Sequence, residues 1–186
     1  MIRTILLICA ALTTAAIIHI GTIFSLPYFA KNDIWHKVLE LAPLNRVYVI
    51  SSPTEAVKVS ADLDPAFAFG LCRVDVSAAP MLMKGTFAND FWSLDYVDQM
   101  GRSQFSLTNQ ISGPKLNAVL ATKGQQRLLS ERPDLIDETT IVITATDSKG
   151  ILLVRAFIAS ERDRPPTARS LDRVLCKPLW DDADTE

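Results

Sequence analysis

The chain has 186 residues, of which 22% are charged, and a formal net charge of −2 at pH 7. An apolar block at residues 5–26 leaves about 160 residues, a length that suits one domain and is short for two. The basic residues are scattered rather than clustered, so the charge pattern argues against nucleic-acid binding. The last six residues, 181–186, include four acidic side chains, and we expect them to form a disordered, solvated tail.

The apolar block at residues 5–26 predicts a transmembrane helix. Its 22 residues carry no formal charge, and at about 1.5 Å per residue they span a hydrocarbon core of about 30 Å. Pro27 and Tyr28 follow; we expect the proline to end the helix and the tyrosine to suit the headgroup region. The block is therefore expected to bind the lipid bilayer as a single-pass anchor.

A cleaved signal peptide is the alternative interpretation of this block. Its apolar region would be shorter, about 7–15 residues, and would end at a small-x-small site. Cleavage near Ala15 or Ala16 stays open, but the length favours a retained anchor. Basic residues after the block favour a cytoplasmic domain by simple counting, whereas Arg3 directly before it is typical of an export signal. We favour an inner-membrane protein whose soluble domain lies in the periplasm.

Beyond the anchor, the sequence predicts mostly strands. Three helices are expected, at 33–42, 124–131 and 166–175. Residues 52–65 are predicted to be a loop that leads into a helical turn through Phe67 and Phe69. Alternating apolar residues and turn residues predict the strands 46–51, 72–76, 81–87, 91–98, 103–109, 116–122, 140–146 and 151–158.

Two pairs of these strands read as β-hairpins. The first joins 91–98 to 103–109 through Gly101, and the second joins 140–146 to 151–158. The whole pattern predicts a mainly β, α+β fold, with a single soluble domain over 32–180. We expect an antiparallel β-sandwich or a partly open barrel, flanked by about three helices and preceded by one transmembrane helix.

Cys72 and Cys176 are the cysteines of the predicted soluble domain, and Cys9 in the apolar block is interpreted as an apolar residue. If the domain is exported, these two form a disulfide. It would close a loop of about 100 residues, worth about 4–5 kcal/mol in the chain-entropy model. A zinc site is disfavoured because the two cysteines lie far apart and the chain has two histidines. We assign no metal and no cofactor.

Several short motifs occur along this chain in an order that is typical of one bacterial family. They are Leu26-Pro27, Asn45-Arg46-Val47-Tyr48, Leu63-Asp64-Pro65-Ala66-Phe67-Ala68, Cys72-Arg73-Val74-Asp75, Phe91-Trp92-Ser93-Leu94 and Cys176-Lys177-Pro178-Leu179. With them the chain resembles domain of unknown function 1254 in its short, membrane-anchored form. The resemblance implies an envelope protein of Gram-negative bacteria that acts with a protein carrying the sister family, domain of unknown function 1214. Larger members have a second domain, which we expect this chain to lack, and the resemblance brings no catalytic residues.

The residues themselves show no catalytic constellation. His36 is the only histidine after the apolar block, and there is no nucleophile elbow and no phosphate-binding glycine loop. The carboxylate pairs Asp62/Asp64 and Asp95/Asp98 fit turn chemistry better than acid–base catalysis. We therefore assign no catalytic residues and favour a non-enzymatic protein, with enzymatic activity left undecided.

Aromatic residues are the best candidates for a ligand wall, although core packing is the more frequent use of such residues. The proposed wall comprises Phe67, Phe69, Phe91, Trp92 and Tyr96, with Asp95, Arg73 and Arg102 as polar groups. The leading hypothesis is a partner-binding envelope module that acts with the sister-domain protein. The alternative is a small-molecule-binding or hydrolytic β domain that uses an aromatic pocket.

Overall fold

The computed structural model describes residues 2–30, 32–60 and 63–180; the side chains of 27–30 and 32–36 are not described. The predicted acidic tail, 181–186, lies outside the described residues. The chain divides into two compact units, residues 1–34 and residues 35–186.

The first unit contains a long apolar helix, α1, Ile2–Ala30. Its segment Ile2–Leu26 is long and apolar enough to cross a membrane, a property it shares with signal sequences. The hydroxyls of Thr13, Thr14 and Thr22 donate to carbonyl oxygens four residues earlier, which satisfies these polar groups within the helix. The predicted helix end at Pro27 is wrong: a proline removes one backbone hydrogen bond, and α1 continues to Ala30.

Among the described residues, nine strands and five further helices follow. The strands are β1 Val47–Ile50, β2 Phe67–Asp75, β3 Met81–Thr86, β4 Trp92–Asp98, β5 Ser103–Thr108, β6 Lys115–Ala121, β7 Ile141–Thr144, β8 Lys149–Phe157 and β9 Leu175–Pro178. The helices are α2 Asn32–Leu41, α3 Pro53–Val59, α4 Asn109–Ser112, α5 Lys123–Glu131 and α6 Arg164–Asp172, with a 3₁₀ turn at Pro133–Leu135.

The strands form two sheets that share one core. The first sheet has the order β1-β2-β8-β4-β5 and is antiparallel throughout. The second has the order β7-β6-β3-β9 and is antiparallel except for the parallel pair β6–β7. Buried side chains from both sheets meet in one hydrophobic cluster. The predicted mainly β, α+β class is therefore confirmed, as a sandwich of two open sheets rather than a closed barrel.

The disulfide hypothesis is also confirmed. Cys72 on β2 is bonded to Cys176 on β9, with 6.6 Å between the Cα atoms and 104 positions between the residues. Because β2 and β9 belong to different sheets, the bond ties the two layers of the sandwich together. Both cysteines lie in the shared core.

Strand β4 shows how the sequence divides the two faces of a sheet. Trp92, Leu94 and Tyr96 alternate along it and are fully buried in the core between the sheets. Gly150 on β8 lies beneath the Tyr96 ring, and a Cβ atom there would come within 2.5 Å of Tyr96 Cε2. The turn from β4 to β5 contains Gly101 with a φ of +75°, a conformation that glycine adopts without strain.

Helices cover parts of the outer faces of both sheets. Val38 of α2 and Ala42, directly after this helix, pack with α3 against Phe69, Leu71 and Ile151 of the first sheet. Leu129 of α5 packs on Leu82 and Val119 of the second sheet. Three helices were expected, but the described residues form five after α1, because α3 and the one-turn α4 were not predicted.

The predicted hairpin between 140–146 and 151–158 is wrong. β7 pairs in parallel with β6 in the second sheet, whereas β8 lies between β2 and β4 in the first. Parallel neighbours need a long crossover connection, and α5 supplies it between β6 and β7.

The predicted helical turn through Phe67 and Phe69 is also wrong. Both residues belong to β2, where pairing with β1 and β8 overrides the local turn signal. The loop predicted at 52–65 contains α3, whose N-terminus has a complete capping box between Ser52 and Glu55.

Candidate functional site

A half-buried cluster of phenylalanines lies on the outer face of the first sheet. Phe67 on β2 is directly opposite Phe157 on β8, with 5.6 Å between the ring centroids. Phe91, just before β4, packs edge-on to Phe67 at 6.1 Å, and its carbonyl accepts a hydrogen bond from the Phe157 N–H. Phe67, Phe91 and Phe157 are all partly exposed, whereas neighbouring Phe69 is buried. The cluster thus continues the apolar surface under α2 and α3 out to the solvent.

A polar group adjoins these rings, with Arg155 two residues before Phe157 on β8 and Ser93 two residues after Phe91. Arg155 on β8 lies between Phe69 and Ser93 in the sheet. Its Nε donates to Ser93 Oγ at 3.0 Å, and its Nη2 lies 3.4 Å from Asp95 Oδ2. Ser93 Oγ in turn donates to Asp95 Oδ2 at 3.2 Å. We call Phe67, Phe91, Phe157, Arg155 and Asp95 together the aromatic face.

The aromatic face has the chemistry of a binding surface. Ser93 is fully buried, so a substrate has no access to its hydroxyl. The Arg155 side chain, by contrast, is 40% exposed, and its guanidinium has donors left for an acceptor on a partner. Half-buried aromatic rings beside an arginine are the combination enriched in the centre of protein interfaces.

The structure separates the residues of the predicted ligand wall. Phe67, Phe91 and Asp95 lie on the outer face of the first sheet, whereas Trp92 and Tyr96 point into the core on the other side. Trp92 Nε1 donates to the Gly113 carbonyl at 3.1 Å, and Tyr96 Oη donates to the Asp147 carbonyl at 2.9 Å. Burial raises the pKa of Tyr96 above its usual value. Both side chains are therefore used in packing.

The two arginines of the predicted wall lie elsewhere in the fold. Arg73 Nη1 donates to the Leu39 carbonyl at 2.9 Å and so links β2 to α2. It lines a small cleft of about 240 Å³ beside Asp75 and Lys149. Arg102 closes the β4–β5 turn through an ion pair with Asp98 at 2.8 Å. Neither arginine is part of the aromatic face.

Asp98 is the best-satisfied carboxylate of this region. Its side chain is fully buried and accepts hydrogen bonds from the backbone N–H groups of Met100 and Arg102 and from the side chains of Arg102 and Gln104. Burial raises the pKa of Asp98, but these hydrogen bonds outweigh it and hold the pKa below its usual range. The carboxylate therefore organises the hairpin turn.

Sequence reasoning missed Arg155 and Phe157 as members of the site. A usable signal was present, because Leu153, Arg155 and Phe157 alternate along one predicted strand, and an arginine between apolar residues is unusual there. In the part of the chain that the structure describes, no group of three or more histidine, cysteine or acidic side chains is arranged to hold a metal ion.

No protein-family model matches the chain, and no curated protein matches its sequence. The VPA0106 protein from Vibrio parahaemolyticus has a similar structure, with a TM-score of 0.57 and 16% sequence identity over 82% of this chain. An uncharacterised protein from Burkholderia cenocepacia has a TM-score of 0.45 and 13% identity over 77% of this chain. The matched regions are 37% and 46% of those two proteins, so the chain spans less than half of either. The similarity to VPA0106 establishes a shared fold.

Proposed function

We propose that this chain is a single-pass inner-membrane protein of Gram-negative bacteria whose β-sandwich lies in the periplasm. We further propose that it is a short member of the family domain of unknown function 1254. In this proposal the sandwich binds a protein that carries domain of unknown function 1214, and its role is binding rather than catalysis.

Two features support the placement. The segment Ile2–Leu26 has the length and composition of a membrane span. The Cys72–Cys176 bond is of the kind that forms and persists in oxidising compartments such as the periplasm. Purified chain with both thiols free, or mature chain recovered from the cytosol, would overturn this part of the proposal.

The observation that carries the binding role is the aromatic face. Exposed aromatic rings cost free energy in water, and burying them against a partner recovers it. Arg155 adds a directional contact that can select a carboxylate or carbonyl on that partner. VPA0106 extends well beyond the shared fold, which is consistent with a sandwich that works next to further protein.

The test is a pull-down of the tagged full chain from native membranes of the source bacterium. We expect a protein carrying domain of unknown function 1214 to be recovered reproducibly. Phe91→Ser should lower that recovery by at least about tenfold, as for an aromatic interface anchor. The matched control is Leu128→Ser on α5, which removes an apolar side chain that is 41% exposed outside the aromatic face.

Two outcomes would contradict the proposal. One is the absence of any reproducible partner with the sister domain. The other is equal recovery of that partner by the wild type and Phe91→Ser, which would remove the aromatic face from the interface. Thermal unfolding of both variants checks that a loss of recovery does not come from a loss of folding.

A further inference from the structure

A second surface with binding chemistry lies at one end of the second sheet, and it is independent of the aromatic face. It is a cleft of about 1110 Å³ between the end of β3, the start of β6, and the C-terminal ends of α4 and α6. Lys84, Lys115, Asn117 and Arg173 line it, with Asp137 at its rim. We call this cleft the basic groove.

The strand register brings the polar side chains of the basic groove together. Lys84 is directly opposite Asn117, and Thr86 is directly opposite Lys115, in the antiparallel pair β3–β6. Residues at such positions share one face of the sheet. β7 begins beside Ala118, so residues 115–117 have no strand neighbour on that side among the described strands.

The charge of the basic groove opposes that of the whole chain. Its lining has three basic side chains and one acidic one, whereas the chain has a net charge of −2. Lys84 forms an ion pair with Asp137 at 2.8 Å. Lys115 and Arg173 are exposed, and neither has an ion-pair partner within the described ranges. Two cations without counter-charges in one concave site attract an anion.

Asn117 adds an unsatisfied hydrogen-bond acceptor. Its Nδ2 donates to Thr140 Oγ1 at 3.0 Å and to Thr139 Oγ1 at 3.3 Å. Its Oδ1 is buried and has no hydrogen-bond partner among the described residues. A buried acceptor without a donor is unfavourable, so a small rotation of the Asn117 side chain that brings this oxygen to a hydroxyl donor on a ligand in the groove would be favoured.

The volume of the basic groove excludes a small inorganic ion as its full occupant. Small-molecule sites in proteins measure about 300–1,000 Å³, and this groove, at about 1110 Å³, is slightly larger than that range. Ile111 and Ile141 add apolar surface to its lining. The site therefore fits an organic anion with both hydroxyl groups and a carbon skeleton.

We propose that the basic groove binds a phosphorylated polyol. The phosphate pairs with the ammonium of Lys115 and the guanidinium of Arg173, whose fork suits phosphate oxygens. A hydroxyl of the polyol donates to Asn117 Oδ1, and Lys84 is kept in place by Asp137. The same chemistry is present in a soluble polyol phosphate and in the headgroup of phosphatidylglycerol.

Lysine acetylation footprinting, read by mass spectrometry on the full chain in phosphatidylcholine nanodiscs, tests this proposal. One arm adds glycerol 3-phosphate, and the other replaces part of the lipid with phosphatidylglycerol. We expect Lys84 and Lys115 to become protected in at least one arm, while Lys123 and Lys177 keep their reactivity. Protection in the first arm alone identifies a soluble ligand, and protection in the second identifies the lipid headgroup. Unchanged reactivity of Lys84 and Lys115 in both arms would overturn the proposal.

Variants test whether the groove itself binds. Arg173→Gln should raise the glycerol 3-phosphate or phosphatidylglycerol level needed for half-protection by about tenfold, as expected for a charge-assisted hydrogen bond. Arg162→Gln, which changes the net charge equally at an exposed site outside the groove, should leave it unchanged. Equal effects of the two would indicate attraction by net charge alone and would overturn the proposal. Arg173 is also the C-cap residue of α6, so replacing it alters the end of that helix as well. Lys115→Gln is therefore a second variant, in which the protection of Lys84 reports binding. It should weaken binding by the same factor of about ten.

Discussion

The two faces of strand β4 have opposite characters, although they alternate residue by residue. On the inner face, Trp92, Leu94 and Tyr96 are fully buried between the sheets. On the outer face, Ser93 and Asp95 hold Arg155 in a polar group beside half-buried rings. Both faces bury side chains, but only the inner one buries them in apolar surroundings on all sides.

This contrast indicates which face holds the fold and which one is available for recognition. Apolar side chains in a closed core contribute stability through lost water contact and close packing. A half-exposed ion pair contributes little to stability because water screens it and competes for its donors. We therefore expect the inner face to control unfolding and the aromatic face to control partner binding.

The largest loss of stability should come from removing the disulfide within the core. Replacing both Cys72 and Cys176 by alanine should lower the free energy of unfolding by about 4–5 kcal/mol in the chain-entropy model, because the bond closes a long loop. Urea unfolding of the full chain in detergent micelles, followed by tryptophan fluorescence, measures this loss. Cys9→Ser in α1 is the control and should leave the unfolding curve unchanged. A loss below about 1 kcal/mol would mean that the sheets do not depend on the bond.

The next largest effect tests the inner face of β4 directly. Leu94→Ala should cost about 3 kcal/mol, because it removes a fully buried side chain and leaves a cavity. Urea unfolding gives the free energy, and the pull-down gives partner recovery under conditions where the variant is folded. We expect stability to fall while recovery stays constant. Recovery that falls in folded Leu94→Ala would contradict the division between the two faces.

A smaller effect is expected at the end of β4, where Asp98 organises the hairpin turn. Asp98→Asn should cost about 2 kcal/mol, because the amide cannot accept all the hydrogen bonds that the buried carboxylate accepts. Asp90→Asn, at an exposed site, is the matched control and should change stability by less than about 0.5 kcal/mol.

The effect of Asp98→Asn should also depend on pH. The folded-state pKa of Asp98 is lowered, so its contribution is complete above the unfolded-state pKa of about 3.9 and is lost as the pH falls through the folded value. The stability difference between wild type and Asp98→Asn should therefore shrink below pH about 4. A difference that stays constant into the acid range would contradict the assigned role of the carboxylate.

The same strand shows what could be predicted from the sequence. The β4–β5 hairpin is local: the alternation of apolar residues and Gly101 contain all that is needed to recognise it. The inner-face assignment of Cys72 also follows from alternation along its strand. Alternation in β4 likewise separates Trp92 and Tyr96 from Asp95, so the predicted ligand wall combined residues that the strand period places on opposite faces.

The long-range pairings could not be predicted, because they depend on how the whole chain is arranged. The parallel partnership of β6 and β7 requires α5 to cross the sheet, and nothing in residues 140–158 shows that β7 and β8 belong to different layers. The position of Phe157 beside Phe67 depends on the register of β8 against β2. Helix α3 is a different case, since Ser52, Pro53 and Glu55 form a readable N-terminal signal.

The smallest effect on stability, and the sharpest test of the contrast, is a double-mutant cycle on the outer face. Asp95→Ala, Arg155→Ala and the double variant should give a coupling of about 0.5–1 kcal/mol in urea unfolding, because the arginine is partly solvated. The ion pair Arg127–Glu131 on α5, at 3.4 Å and well exposed, is the matched control, with a coupling near zero.

Partner recovery should respond more strongly than stability to the same change. Arg155→Ala should lower recovery of the sister-domain protein, and Arg155→Lys should not restore it fully, because lysine keeps the charge but not the planar fork. A coupling above about 2 kcal/mol between Asp95 and Arg155 would place the pair among structural ion pairs. The outer face would then stabilise the fold as the inner face does, and the distinction between the two faces of β4 would not hold.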